Sequence, residues 1–399
     1  MNDLLTIDAA ETLIGEALRP FPTETIPLGQ AAGRILRQNV TAERALPPYD
    51  RVILDGIAVA WCDGQRDFRL VATQPAGRPP LAMPDGTGQA IAVMTGSVLP
   101  SGADTIIPRE DFDIQGDLVS LRADVTPRKN QHVHPKGADC AQGAALLSPG
   151  LRLTPPEMAI LAANGISHPE VSVIPSIAII STGDELVASD APVQDWQIRR
   201  SNEFAIAASL SRKGFTRQAF AVLPDDLALT TDHLATLLEQ HDVLVLSGGV
   251  SMGQFDFVPQ ALTSLGVRKI FHKIAQRPGK PFWFGLSAKE QPVFALPGNP
   301  VSALACCSRH VVPALLRAQG LVQEAIPVRL GETLSPLPSM TRLVPVQLVH
   351  GADGVATAIP HPMPTSGDFN RLGMTQGLVT LPPGTAPLTP SASVLFHEW

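Results

Sequence analysis

The residues able to do chemistry gather in the loops of one stretch, Val173 to Ala303. Ser181-Thr182-Gly183-Asp184-Glu185 sets two carboxylates behind a glycine, and Asp225-Asp226 sets two more behind a short apolar run. Ser247-Gly248-Gly249-Val250-Ser251-Met252-Gly253 offers three glycines and two hydroxyls, with Asp256 just beyond, and Pro297-Gly298-Asn299-Pro300 is a further tight loop. Glycine lets backbone amides approach an anion, so loops of this composition suit a phosphate-bearing ligand. A carboxylate beside bound phosphate suits Mg2+, which takes one or two carboxylates with phosphate oxygens and water. Lys273, Arg277 and Lys280 add a basic cluster to a chain that is otherwise acidic. Such a cluster is either a solvated face or a grip for oxyanions.

These loops need rigid elements behind them. Ile177 to Ser181, Val243 to Ser247 and Val293 to Leu296 are short, unalternated apolar runs, as expected of parallel strands buried on both faces. Each loop then falls at a strand's carboxyl end, where open parallel sheets bind their ligands. Asn299 stands at an N-cap position and Pro300 at the first helical position, so the last loop predicts strand, turn and capped helix.

At 399 residues the chain exceeds one ordinary domain. Its 38 prolines and 32 glycines imply many turns and short strands outside the central block. A net charge of −7 supplies no field for a nucleic-acid backbone or an anionic membrane surface. No apolar run reaches the length of a membrane span and no basic-then-apolar leader opens the chain, so the expected location is cytoplasmic. Cys62, Cys140, Cys306 and Cys307 show neither C-x-x-C nor matching histidine spacing. Disulfides and structural zinc are therefore not expected.

Outside the block, Ile7 to Leu18 has helical spacing behind Thr6, and short apolar runs separated by turn residues fill Gly56 to Pro135. Pro155 to Ala163 reads as helical, and Ile326 to Trp399 as more short strands. The expected division is a split helical domain at 1–45 and 136–172, an inserted β-rich domain at 46–135, an α/β domain at 173–322 and a C-terminal β domain at 323–399. The fold class is α/β multidomain.

STGDEL at Ser181 to Leu186, SGGVSMG at Ser247 to Gly253, PGKP at Pro278 to Pro281 and LPGNPVSA at Leu296 to Ala303 together resemble the molybdenum-insertase family, MoeA in bacteria, related to the gephyrin E domain. Ala31 to Leu36, Leu54-Asp55-Gly56, Met94-Thr95-Gly96, Gly137-Ala138-Asp139 and Ser366-Gly367-Asp368 extend the resemblance over essentially the whole chain. It implies a central MogA-like α/β domain, a split helical domain, an inserted β domain and a C-terminal β-barrel. It also implies a molybdopterin molybdenumtransferase that uses Mg2+, takes adenylylated molybdopterin and molybdate as substrates, releases AMP and works as a homodimer. Transient contact with the adenylyltransferase and with apo-molybdoenzymes follows from the same resemblance.

Carried onto this chain, the resemblance implies catalytic roles for Glu185, Asp55, Asp139, Lys273, Arg277 and Lys280. It prefers Asp225 over Asp226, and with Asp256 as the metal site. Substrate contacts fall to Thr95, Ser181, Gly183, Ser247, Gly248, Gly249, Ser251, Gly253, Pro297, Gly298, Asn299, Pro300, Arg342 and Ser366. One motif departs from the family: Arg51 to Ala58 keeps the aspartate but loses a polar pair and an aromatic. A weakened paralogue acting as a cofactor carrier is therefore the alternative, with a molybdopterin adenylyltransferase behind it.

Overall fold

The computed structural model describes residues 4–250, 257–321, 326–361, 363 and 365–399. The chain divides into two compact units: Met1–Arg37, Pro149–Thr154 and Pro169–Trp399 form the first, and Gln38–Ser148 with Pro155–His168 form the second.

The first unit is built on a six-stranded sheet in the order Gln218–Leu223, Ile177–Thr182, Val243–Ser247, Pro292–Leu296, Trp283–Leu286, Arg268–His272. The first four strands are parallel. Ile177, Ala178, Ile179 and Ile180 are all fully buried, and their side chains alternate between two cores. Ile177 and Ile179 join Val243, Val245 and Phe294 in a core shared with residues of the helices Ile7–Ala17, Asn202–Arg212 and Val312–Ala318. Ala178 and Ile180 join Leu244, Leu246 and Val293 against the helices Leu227–Gln240 and Val258–Ser264. A sheet covered on both faces has no polar side over its centre, which is why the central strands carry no alternation.

One strand departs from the parallel pattern. Trp283–Leu286 runs antiparallel to Pro292–Leu296, because a tight turn with Ser287 N–H donating to the Gln291 carbonyl joins them. So short a link can only make a hairpin, since a parallel return needs a crossover of a dozen residues or more. The first helix begins as its sequence predicts: the Thr6 hydroxyl accepts from the Ala9 amide at 3.2 Å.

Ile326–Leu330, Thr341–His350, Ala356–Pro360, Gly377–Leu381 and Ser393–Glu398 form a closed five-stranded barrel. Closure comes from Thr341–His350, which pairs with both Ala356–Pro360 and Gly377–Leu381, and Val328, Val344, Val346, Val379 and Phe396 belong to its core. Gln276–Arg277 adds a short parallel pairing that sets Arg277 directly beside Arg342.

The second unit holds a six-stranded sheet in the order Thr105–Pro108, Gly56–Val59, Gln89–Val93, Asp67–Gln74, Leu118–Leu121, Phe112–Gln115. Ile57, Phe68, Phe112 and Val119 lie in its core. A side chain at Gly56 would collide with the Ile107 carbonyl, so glycine is the residue this strand crossing admits. Phe112–Gln115 is an edge strand with one buried side chain, Phe112. That leaves too little apolar pattern to mark it in the sequence.

All four cysteines are free. Cys306 and Cys307 are fully buried, and burial pushes the Cys307 thiol up to about 12 and the Cys306 thiol higher still. Protonated thiols in an apolar core act as small packing residues.

Candidate functional site

Four of the strand ends in the first unit carry the loops singled out by composition. Gly183 (φ +128°), Gly248 (φ +100°) and Gly249 (φ +68°) adopt left-handed backbone. A side chain at Gly183 would collide with the Glu185 carboxylate, and one at Gly248 with the Thr182 hydroxyl. The loops therefore pack against one another through glycine. Gly298 lies so close that its Cβ would be 3.5 Å from the Gly248 Cα.

Ser181, Thr182, Glu185, Ser247, Gly248, Gly249, Pro297, Gly298, Asn299 and Pro300 line a cavity of about 780 Å³. A further part of its wall is the segment 198–202, which motif reading did not single out. The Asn202 amide donates to Ser247 Oγ and to the Gly298 carbonyl, both at 2.7 Å, tying two of the loops together. Glu203 is 3 % exposed, accepts from Ser181 Oγ at 3.0 Å and faces Arg200 at 3.7 Å. The available signal was Arg199-Arg200-Ser201-Asn202, two cations directly before a helix start.

A second cavity, of about 480 Å³, is lined by Gln276 to Pro281, Pro297, Asn299, Arg342, Thr365 and Ser366 among others. Arg277, Lys280 and Arg342 give its wall three cations. The two cavities are contiguous, sharing Pro281, Pro297 and Asn299. Asn299 holds the N-cap position of the helix Pro300–Cys306 without capping it: its Nδ2 donates to Ser366 Oγ at 2.7 Å. The expected cap residue instead ties the loop to Ser366, and Val301 N–H donating to the Ser366 carbonyl at 3.1 Å strengthens the tie.

Asp225 and Asp184 stand side by side at neighbouring strand ends. The Asp225 amide donates to Asp184 Oδ1 at 3.2 Å, and the Asp184 amide approaches Asp225 Oδ2 at 3.4 Å. Both carboxylates are exposed, while Asp226 caps the next helix by accepting from the Leu229 amide. Free carboxylate oxygens at a sheet's carboxyl edge are hard donors of the kind Mg2+ takes. Among the described residues no group of three His, Cys, Asp or Glu forms a metal cluster, and Ser251, Gly253 and Asp256 lie outside the described residues. Lys273 has φ +73° at the start of the basic loop and lines neither cavity.

The second unit brings together Asp55 and Thr95. Asp55 Oδ1 accepts from the Thr95 amide and from its hydroxyl, each at 2.7 Å. These two bonds, the amide's first, hold the Asp55 carboxyl below the usual carboxylate range. Asp139 accepts from His134 Nε2 at 2.8 Å, and His134 Nδ1 lies 3.1 Å from Arg51 Nη2. Arginine can only donate, so Nδ1 is the acceptor and the neutral ring carries its proton at Nε2, aimed at Asp139. The departing motif thus has a structural account: Arg51 orients His134, and Ile57 is a core residue at 1 % exposure.

Two contiguous cavities at the carboxyl edge of the six-stranded sheet, the larger walled by glycine loops and the smaller by cations, have the chemistry that phosphate-bearing and oxyanionic ligands require. Residues 5–165 match the MoeA N-terminal region (domain I and II), and residues 178–317 match a probable molybdopterin binding domain. A molybdopterin molybdenumtransferase of Synechocystis sp. is 34 % identical over 99 % of this chain and 100 % of its own length. One of Synechococcus elongatus is 34 % identical over 82 % of this chain and 83 % of its own. The crystal structure of a molybdopterin biosynthesis moeA protein from Pyrococcus horikosii superposes with a TM-score of 0.82 at 27 % identity, covering 99 % of both chains. The chain belongs to the molybdopterin molybdenumtransferase (MoeA) family, transferases of molybdenum-cofactor biosynthesis.

Proposed function

We propose that the chain is a molybdenum insertase, moving molybdenum from molybdate to the dithiolene of adenylylated molybdopterin with release of AMP. The observation that carries this reading is the pair of contiguous cavities. The larger, walled by glycine loops, suits the phosphoanhydride of the pterin nucleotide, and the smaller, walled by Arg277, Lys280 and Arg342, suits a tetrahedral oxyanion. Asn299 lines both cavities, and Ser366, hydrogen-bonded to it, lines the smaller.

In this reading Ser181, Gly183, Ser247, Gly248, Gly249, Ser251, Gly253, Pro297, Gly298 and Pro300 form the phosphate cradle. Glu185 supplies a carboxylate at the cradle's edge, and Arg277 and Lys280 stabilise oxyanions, with Lys273 assigned to the same step on the family motif alone. Asp225 and Asp256 would hold Mg2+, which when bound neutralises phosphate charge. Asp55, Thr95 and Asp139 are assigned to the same reaction on the family motif. The four-domain division at 1–45 with 136–172, 46–135, 173–322 and 323–399, a cytoplasmic location and a homodimer belong to the same proposal.

Purified chain, adenylylated molybdopterin, molybdate and Mg2+ provide the test. The expected result is AMP release together with reconstitution of an apo-molybdoenzyme. Tight binding of the pterin nucleotide without AMP release would favour the carrier reading, and pyrophosphate formation from molybdopterin and ATP would favour the adenylyltransferase.

A further inference from the structure

Within the larger cavity, one cation keeps guanidinium donors that the fold does not use. Three charged residues line that wall: Glu185, Arg199 and Arg200. Arg199 is occupied, because its Nη1 donates to the carbonyls of Ala188, Ser189 and Ala191 at 2.6–3.2 Å. Arg200 differs. Its side chain is 22 % exposed, its Nε lies 3.7 Å from Glu203 Oε1, and no donor of its guanidinium meets an acceptor at hydrogen-bond distance among the described residues.

A buried carboxylate is costly without partners. Glu203 meets that cost with the Ser181 hydroxyl on one oxygen and the Arg200 guanidinium facing the other. The pair fixes where Arg200 sits. Asn202, two residues on, binds the Ser247 and Pro297-Gly298 loops, so the backbone carrying Arg200 is tied to the glycine loops themselves. A guanidinium held on one side by a buried acid, with its remaining donors at a cavity wall, is arranged to accept an anion. Its planar fork matches a phosphate.

We infer that Arg200 binds a phosphate group of the ligand in this cavity and that Glu203 is its positioning residue. The inference rests on the reading of the larger cavity as the phosphoanhydride site. It adds a cation that no glycine-loop motif supplies.

The test uses the full chain with inorganic pyrophosphate as the probe, titrated calorimetrically, and a urea unfolding midpoint for each variant. Arg200→Gln is expected to weaken pyrophosphate binding tenfold or more in a chain that still folds, its midpoint lowered because buried Glu203 loses its cation, and Arg200→Lys to recover part of both the affinity and the midpoint. Glu203→Gln is expected to raise the KM for the pterin nucleotide severalfold at unchanged kcat, as fits a residue that places a ground-state contact. If the unaltered chain binds pyrophosphate and Arg200→Gln binds it equally well, the assignment to Arg200 is overturned while the cavity reading stands. If the unaltered chain binds no pyrophosphate, both fall together.

Discussion

Asp55 accepts two hydrogen bonds from a single neighbour, and that fixes how its charge responds to pH. Both bonds favour the ionised form, so the carboxylate stays charged to lower pH than an ordinary aspartate. Thr95→Val removes the hydroxyl donor and leaves the amide. Its expected effect is an upward move of the Asp55 pKa toward the ordinary value, read by NMR titration of the side-chain carboxyl; an unmoved titration would show that the amide alone sets it. Under the proposed function the cations of the smaller cavity would act differently, making their contacts to an oxyanion in ground and transition state alike. Lys280→Ala should weaken molybdate binding by about 1.5–3 kcal/mol, the worth of a charge-assisted contact. Asp225→Asn should instead keep pterin-nucleotide affinity within a few fold and slow single-turnover AMP release by roughly a hundredfold, the scale of losing one preorganised electrostatic group. Equal losses of binding in both variants would merge the two roles.

At the scale of elements, the basic loop is held from beneath by a polar pair inside an apolar core. Gln276 is fully buried; its Oε1 lies 2.8 Å from His310 Nε2, and its Nε2 donates to the Gly279 carbonyl at 3.3 Å and toward Cys306 Sγ at 3.2 Å. A Cβ on Gly279 (φ +96°) would collide with the Gln276 amide, so the turn between Arg277 and Lys280 is wrapped on that side chain. His310 reaches it from a π-helical turn, Cys307–Val311, with its ring stacked on Phe282 at 5.1 Å. His310→Phe keeps the stack and removes the donor, which should cost about 1–3 kcal/mol for the stranded amide oxygen. Pairing it with Gln276→Met should recover most of that loss, measured as urea midpoints; no recovery would mean the ring's shape, not its hydrogen bond, matters. Burial also holds His310 well below 6.5, and burial followed by the Arg309 charge brings His397 down to about 3. Below pH 6.5 the unfolded chain therefore takes up protons that the folded chain refuses. Stability is full above that pH and falls as the pH drops below about 6.5, by about 1.4 kcal/mol per unit for each histidine. His397→Leu should remove that residue's share of the slope and leave the share of His310 and of His272, which burial also lowers. None of this support was legible in the sequence, because Gln276 and His310 are 34 positions apart and a helix pattern does not announce a π turn. The strand-end loops were legible, since glycine clusters placed directly after unalternated apolar runs mark the carboxyl ends of buried parallel strands.

At the scale of the whole molecule, the pattern of residues near the C-terminus marked only short strands, and it was the family resemblance that implied the β-barrel found there; its closure depends on one long strand, Thr341–His350, pairing on two sides. The residue pattern could not place Arg277 beside Arg342, since that register joins strands from distant parts of the chain. Assembly is the remaining level, and the proposed homodimer makes a prediction there. The edge strand Gln218–Leu223 leaves Phe220 50 % exposed, and Phe204, 49 % exposed, sits beside it with ring centroids 5.6 Å apart. An unpaired strand edge bearing aromatic surface invites association unless something covers it, and a two-fold partner is the commonest closed cover. Two chains of 42.3 kDa should sediment at micromolar concentration as one species of about 85 kDa, with two-fold closure as the commonest stoichiometry. Phe220→Glu should shift that species toward the single chain with only a small fall in the unfolding midpoint, because half of the substituted side chain is already in water in the isolated chain. A lone 42.3 kDa species for the unaltered protein would overturn the dimer, and a dimer indifferent to Phe220→Glu would move the interface away from this edge.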